Sequence, residues 1–600
     1  MRVPRRGRGW SWHRTWPCCR PGPPALMLAV LVLWVSAAGS LAQEAPADFV
    51  LLDGQVHTLD AEDRVVQAVA IRDERIVRVG ATADVQPLIG PRTVVYRAMG
   101  RTVIPGLNET HVHATGAAQI ETSQPFRQLH SIAEIQDWVR QQVAKTPPGE
   151  WIRLPRVDVT RIRERRLPTP AELDEAAGDR PAVYVWQYAN RQVQILNRAA
   201  LRAAGITRDT QPPRGGKIHR DAAGEPTGIL EDAGALTSRF LTSAPAPREE
   251  YLARLADLMQ LYARCGITSI TDRSTNAEGW KTYLELRQRG QLPLRVTLTI
   301  RVSSDGSEVG TERFIRSLPF TFGDGDDWVK IGPLKIGVDG GMLYGTAYLR
   351  QPYGEQALAL YGLSDPSYRG LLQMGATKVT NVIRTGHRLG WQMCTHVTGD
   401  AGVDMVLDAV EAADRDSSIA PRRFTLIHAY FAQPDTAQRA ARLGVCIDTQ
   451  PAWLYKDGDA LAAALGMARM ERFIGLATWQ TAGLKVAINA DHMQGFDPDL
   501  SLNPYNPFLA MYTAITRRTE SGQVLGPAEA VSRTQALRMM TSDAAWLHFD
   551  ETKKGALEMG KLGDLAVLSH DYFTCPFEEL PKIRAVLTVV GGKVVYQAGL

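Results

Sequence analysis

At 600 residues the chain exceeds the ~250 that a single α/β barrel takes, so it has room for further domains. Apolar residues make up 44%, charged residues 22% and aromatic residues 7%, with a mean hydropathy of −0.18; this balance excludes a disordered chain, a coiled coil and a polytopic membrane protein. The formal charge of +4 comes from the first 42 residues, which hold six arginines and no other charged side chain; the remainder carries 62 basic against 64 acidic residues and has no field to draw nucleic acid.

Residues 1–42 read as an export signal. Arg2, Arg5, Arg6, Arg8, Arg14 and Arg20 precede or flank an apolar run from Ala25 to Val35, and Ser40-Leu41-Ala42 places small residues at the −3 and −1 positions. Cleavage after Ala42 is expected, giving a periplasmic or secreted protein. The rival is an uncleaved anchor, although the run is shorter than the ~20 residues that span a bilayer. Cys18 and Cys19 leave with the signal. Cys265, Cys394, Cys446 and Cys575 lie far apart and make no CxxC zinc or redox motif.

Residues 43–100 predict short strands with turn signals, over Asp48–His57, Val65–Ile71 and Arg75–Gly80. The last segment, 556–600, repeats the texture in Gly563–Leu568 and in Ala585–Tyr596, which turns at Gly591-Gly592. The two ends are expected to form one composite β-sandwich. Between them, over 101–555, eight apolar runs alternate with helix-length segments: Thr102–Leu107, Gly266–Thr271, Leu294–Arg301, Pro333–Val338, Gln392–His396, Phe424–His428, Val445–Thr449 and Val486–Asp491. Eight βα units predict an α/β fold of the (β/α)8 TIM-barrel type, whose functional residues sit at the C-terminal strand ends. The stretch between the first and second runs is far too long for a βα loop and predicts an inserted subdomain at about 118–245, with a helix over Ser131–Ala144 and a strand over Ala182–Gln187.

Polar residues interrupt four of those strand ends. His111 and His113 are two apart, a spacing that points both imidazoles the same way in extended chain. His396, His428 and Asp491 end the fifth, sixth and eighth runs. Four imidazoles and one carboxylate converging on one barrel mouth make a divalent-metal constellation, most naturally for zinc, with the carboxylate able to ligate the ion and accept a proton from its water.

The residues and their order resemble the amidohydrolase superfamily, and within it the YtcJ-like branch, amidohydrolase family 3, which includes N-substituted formamide deformylases. The signatures are Val103-Ile-Pro-Gly-Leu-Asn-Glu-Thr-His-Val-His113, Asn197–Gly205, Gly224–Leu230, Lys335-Ile-Gly-Val-Asp-Gly340, His396-Val-Thr-Gly-Asp400 and Lys561–Leu568. The resemblance covers roughly residues 48–600. It implies a bridging ligand at the fourth strand end, where Lys335 stands and is carboxylated in many relatives; a Lys335 salt-bridged to Asp339 or another acid is the structural alternative. It further implies His111, His113 and Asp491 around one ion, His396 and His428 around a second, a hydroxide between them as nucleophile, and Asp491 as the catalytic proton carrier. Without the bridge the site would hold one ion, bound mainly by histidine and Asp491.

The chain departs from that pattern at Glu109, where the branch usually has Asp, at Ile427, where an acid often precedes the sixth-strand histidine, and at Gln192, where a histidine is expected. These changes bear on the groups that orient ligands and on substrate choice. Asn108-Glu-Thr110 matches a glycosylation acceptor but is read as chance, Arg161–Arg166 as a solvated charge run, and His492 as at most lining the pocket. His57, His130, His219, His387, His548 and His570 are read as structural or exposed. The expected activity is metal-dependent hydrolysis of a non-peptide C–N bond in a small amide-type substrate, without nucleic acid or a stable membrane span. The alternatives are a lactonase, esterase or dipeptidase on the same site, or a non-catalytic binding module. Homo-oligomerisation is left open.

Overall fold

The computed structural model describes residues 44–188, 191–241 and 246–598; the expected export signal and cleavage site lie outside them. Eight strands follow one another in a single parallel sheet: Leu107–Val112, Ile267–Thr275, Arg295–Arg301, Val329–Gly337, Met393–Val397, Thr425–His428, Cys446–Thr449 and Val486–Ile488. The ring is nearly closed. Just beyond the last strand, His492 bridges in parallel to Val112, and the His113 N–H donates to the His492 carbonyl at 2.8 Å.

The strands read as near-continuous apolar runs because both faces are covered, by side chains inside the barrel and by helices outside. The helix Arg248–Arg264 shows the outer layer: Leu252, Leu255, Leu258, Met259 and Tyr262 form its buried stripe at helical spacing, with Glu249 and Glu250 in the first turn, where the helix dipole favours acids. It runs into Gly266, whose φ of 82° and close approach to Ala566 suit only glycine.

The run Thr102–Leu107, expected to open the barrel, is split. Thr102–Pro105 pairs antiparallel with Leu565–Val567 and parallel with Gln55–Val56, and the first barrel strand starts at Leu107. The divide is steric: a Cβ on Gly106 would meet the Thr268 hydroxyl at 2.2 Å, so only glycine lets the chain cross from one sheet to the other here. His111 consequently lies within the first barrel strand, and His113 directly follows it.

Thr102–Pro105 belongs to a six-stranded sheet that joins the chain ends, in the order Lys593–Gln597, Ala585–Val590, Leu565–Leu568, Thr102–Pro105, Gln55–His57, Val65–Val66. A four-stranded sheet orders Arg75–Gly80, Ala68–Arg72, Phe49–Leu52 and Val94–Arg97. Phe49, Leu51, Val69 and Ile71 of the latter share one buried cluster with Val56, Val103, Leu565 and Leu587 of the former. Between the first two barrel strands the chain forms a five-stranded sheet, including Ala182–Tyr188 and Arg191–Leu196, and the helix Ile132–Lys145. Ser131 caps that helix by accepting from the Glu134 N–H, while Glu134 accepts from the His130 N–H. Among the described residues no helix is long and apolar enough to cross a membrane, and Cys265, Cys394, Cys446 and Cys575 are free thiols.

Candidate metal centre

The two-residue spacing of His111 and His113 has the geometric consequence that extended chain dictates: their Nε2 atoms lie 3.3 Å apart. Asp491 joins them from across the barrel closure, with Oδ1 3.3 Å from His111 Nε2 and 3.4 Å from His113 Nε2. The ligand atoms of these three all lie within 4.8 Å of one another. Lys335, on the fourth strand, brings Nζ to 3.2 Å from His111 Nε2. His396 and His428 form the neighbouring pair, Nδ1 to Nε2 at 2.8 Å, and the His428 ring centroid is 5.5 Å from that of His111. All six residues singled out in the sequence therefore meet at one mouth.

Two of them sit in the left-handed region, where a side chain is costly: His428 at φ 78° and Asp491 at φ 51°. Surrounding bonds hold these bends. Ala429 N–H donates to the Val397 carbonyl, Asp491 N–H to Asn489 Oδ1, and the Asn503 amide to the Asp491 carbonyl.

Whether these side chains suit a cation is decided by where their protons are. His113 Nδ1 faces the Arg273 carbonyl at 3.0 Å and His396 Nε2 the Gly340 carbonyl at 3.3 Å. His428 Nδ1 faces Gln450 Oε1 at 2.6 Å, and the amide orientation of Gln450 is set by its own donation to the Asp448 carbonyl. A carbonyl oxygen only accepts, so each of these nitrogens carries the proton and the opposite nitrogen turns a lone pair inward. The inward nitrogens of His396 and His428 are thus two acceptors 2.8 Å apart, a repulsive contact that a cation between them relieves. His111 Nδ1 and Asp491 Oδ1 are buried without a hydrogen-bond partner. The donor set fits a divalent metal.

Electrostatics agree. Burial, then the Lys335 charge, drives His396 down to about 3 and holds His111 well below the usual imidazole range; for His428, burial and then His396 do the same. These three imidazoles are neutral at pH 7, as ligation requires. Burial and the Arg273 charge lower Lys335 to about 8. The Lys335–Asp339 salt bridge is not formed: Asp339 instead accepts from the N–H groups of Tyr348, Thr398 and Gly399 and from the Thr398 hydroxyl, tying together the loops that follow the fourth and fifth strands.

Glu109, the departure from the usual Asp, is a buried latch across the barrel closure. Its Oε1 accepts from Ala490 N–H at 3.0 Å and His111 N–H at 3.3 Å, and burial pushes its carboxyl up to about 8. Ile427 is fully buried in the sixth strand, and Gln192 lies in the five-stranded sheet, accepting from Gln194 Nε2. Asn108 is buried and donates to the Thr541 carbonyl, out of reach of a glycan. His492 turns away from the donors, with Nδ1 2.7 Å from the Tyr262 hydroxyl and Nε2 2.6 Å from the Gly495 carbonyl. Among the remaining histidines, His57 stacks on Phe573, His219 pairs with Glu231 and His548 meets Thr271. The charge run Arg161–Arg166 is solvated from Arg163 onward, but Arg161 turns inward onto Asp457, with Nη2 2.8 Å from Oδ2.

A group of residues absent from the sequence reading supports the ligands from below. Arg273 is buried in the second strand; its Nε donates to the Thr110 carbonyl at 2.9 Å and its Nη2 reaches Asp448 Oδ2 at 2.5 Å. Asp448 also accepts from the Thr110 hydroxyl and the Asn489 amide. Charged residues at the second and seventh strand ends were the available signal. Above the donors opens a cavity of about 290 Å³, lined by His113, Lys335, His396, His428 and Asp491 and walled by Tyr344, Trp453, Leu461, Phe473 and Met493.

A model of the amidohydrolase family matches residues 95–596. The chain is 28% identical over 558 residues to an N-substituted formamide deformylase of Arthrobacter pascens, covering 92% of this chain and 98% of the relative. It is 25% identical over 555 residues to the protein of Bacillus subtilis (strain 168) named as the amidohydrolase YtcJ, covering 91% and 98%. In fold it resembles an uncharacterized metal-dependent hydrolase from Pyrococcus furiosus, with a TM-score of 0.62 at 21% identity, over 88% of this chain and 100% of that one.

Proposed function

The chain belongs to the amidohydrolase family, hydrolases acting on carbon–nitrogen bonds, and from that premise we propose that it hydrolyses small non-peptide amides of the N-substituted formamide type at a zinc site. The observation that carries the reading is the convergence of His111, His113, Asp491, His396 and His428, with the inward lone pairs of His113, His396 and His428 fixed by carbonyl acceptors on the far side of the rings. The likeness to the formamide deformylase supports the substrate class.

In this reading His111, His113 and Asp491 would hold one ion and His396 and His428 a second, with a carboxylated Lys335 as a further ligand. Zinc held there would supply a water with a pKa of about 7 and a Lewis acid for the substrate carbonyl. Asp491 carries the proton: its carboxylate lies at the cavity floor, accepts the proton released by the attacking water and returns it to the leaving amine. The carbonyl contacts keep the protonated nitrogen of His113, His396 and His428 on the side of each ring away from the donors. The walls formed by Trp453, Leu461 and Phe473 exclude bulk water and take the apolar part of the substrate.

Purified protein should contain zinc and turn over N-acyl amines faster than matched lactones, esters or dipeptides. Preference for a lactone or dipeptide overturns the substrate class, and a folded metal-free protein overturns the site. Export is part of the proposal, resting on the basic segment, the apolar run Ala25–Val35 and Ser40-Leu41-Ala42; a mature N-terminus at Gln43 tests it.

A further inference from the structure

The catalytic cavity has a polarity that the metal donors do not account for. Four charged side chains line it: Lys335, Asp491, Asp457 and Arg301. Lys335 and Asp491 belong to the donor set. Asp457 is buried and already neutralised, its Oδ1 accepting from the Thr160 hydroxyl at 2.7 Å and Arg161 Nε at 2.9 Å, and its Oδ2 lying 2.8 Å from Arg161 Nη2. Arg301 remains. It ends the third barrel strand, one strand from Lys335 and in register with it, and its guanidinium has neither a hydrogen-bond nor an ion-pair partner among the described residues.

The apolar wall stands opposite. Trp453 and Leu461 lie on the helix Pro451–Leu465, which follows the seventh strand, and Phe473 follows that helix. In a ring of eight strands the third and seventh are four apart and face each other across the mouth, with the donors between them. A substrate lying over the donors can therefore reach the exposed, unpartnered Arg301 guanidinium on one side and the Trp453–Leu461–Phe473 surface on the other, with Met342, Leu343 and Tyr344 lining the cavity between.

We propose that the preferred substrates are amides carrying a carboxylate at one end and an apolar group at the other, Arg301 taking the carboxylate and the Trp453–Leu461–Phe473 wall the apolar group. A planar guanidinium offers paired donors that match a carboxylate, and a single fork suits a monoanion better than a phosphate dianion, which calls for more than one cation. The inference rests on the amide-hydrolase reading above and adds the polarity of the substrate to it.

N-formylphenylalanine, as the racemate, and N-(2-phenylethyl)formamide differ by one carboxylate and test the idea directly. Wild type should favour the acid at least tenfold in kcat/KM. Arg301→Gln should cut that preference at least tenfold, and Arg301→Lys, which keeps the charge and loses the fork, should restore part of it. Equal rates for the two amides in wild type, or a preference untouched by Arg301→Gln, overturns the proposal. If neither amide is hydrolysed, the activity reading fails on its own, and calorimetric binding of the same two molecules still decides the subsite. Tighter binding of the acid that Arg301→Gln abolishes supports it, and equal affinities overturn it.

Discussion

The Nδ1 atom of His113 lies 3.0 Å from the main-chain carbonyl oxygen of Arg273. The carbonyl fixes the tautomer of the ring, and the Arg273 guanidinium fixes the carbonyl, since it is pinned beneath the site to Thr110 and Asp448. Ser274, the next residue, takes a φ of 62°, so the strand turns sharply at this contact. One residue thus supplies both the acceptor that aims a ligand and the anchor that keeps the acceptor in place.

Arg273→Ala should therefore cost much more than a lost surface ion pair. It strands the Asp448 carboxylate in a buried position, and breaking such a pair costs about 3–5 kcal/mol. Urea unfolding measures the loss, and Arg273→Met combined with Asp448→Leu should recover part of it because no charge is left unpaired. A single variant within about 0.5 kcal/mol of wild type, the range of ordinary surface changes, would show that the pair does not anchor the strand.

Asp491→Asn should lower kcat by about 10²–10⁴-fold, the range associated with losing a positioned acid or base, while far-UV circular dichroism stays that of the wild type. The exchange is nearly isosteric and removes both the anionic ligand and the proton carrier. His111→Ala and His113→Ala should lose most activity as well. Turnover by Asp491→Asn at the wild-type rate eliminates the assigned role.

Lys335→Ala should lose one metal and most activity together, because Lys335 sits 3.2 Å from His111 Nε2 without an ion-pair partner among the described residues, where its carbamate would serve as a further metal ligand. Added acetate or propionate should restore part of both by filling the bridging position. Metal content and rate are measured on the same samples. Two metals with undiminished turnover in Lys335→Ala sink the bridge and leave a mononuclear site.

Acid should weaken the fold partly through Asp550, away from the candidate metal centre. Burial alone would raise its carboxyl, but the adjacent Lys554 and Lys330 ammonium groups outweigh this and bring it to about 2; Lys330 Nζ lies 2.6 Å from Oδ1. A carboxyl depressed in the folded state stabilises it above the unfolded value, about 4, and that stability fades as pH falls toward 2. The contribution is about 2 kcal/mol. Asp550→Asn should be less stable at pH 6, and the gap to wild type should narrow between pH 4 and 2. A gap constant over that interval contradicts the depressed value.

The barrel and its ligands could be read from the chain because their signals are local. Apolar runs of strand length recur at helix-length intervals, and side-chain direction alternates along a strand, so His111 and His113 had to share a face, while His396, His428 and Asp491 fell at the ends of such runs by position and Lys335 was implied only by the family resemblance. Only the tertiary structure decided the rest. Whether Thr102–Leu107 was one strand or two depended on the close approach of Gly106 to Thr268, residues 162 positions apart, which leaves no room for a Cβ. Arg161 resembled its solvated neighbours until the fold placed Asp457 beside it. The Arg273–Asp448 anchor and the polarity between Arg301 and the Trp453 wall arise from pairings across the ring. Periodicity along a chain tells which way a side chain points, but its partners are set by which strands the closed sheet brings together.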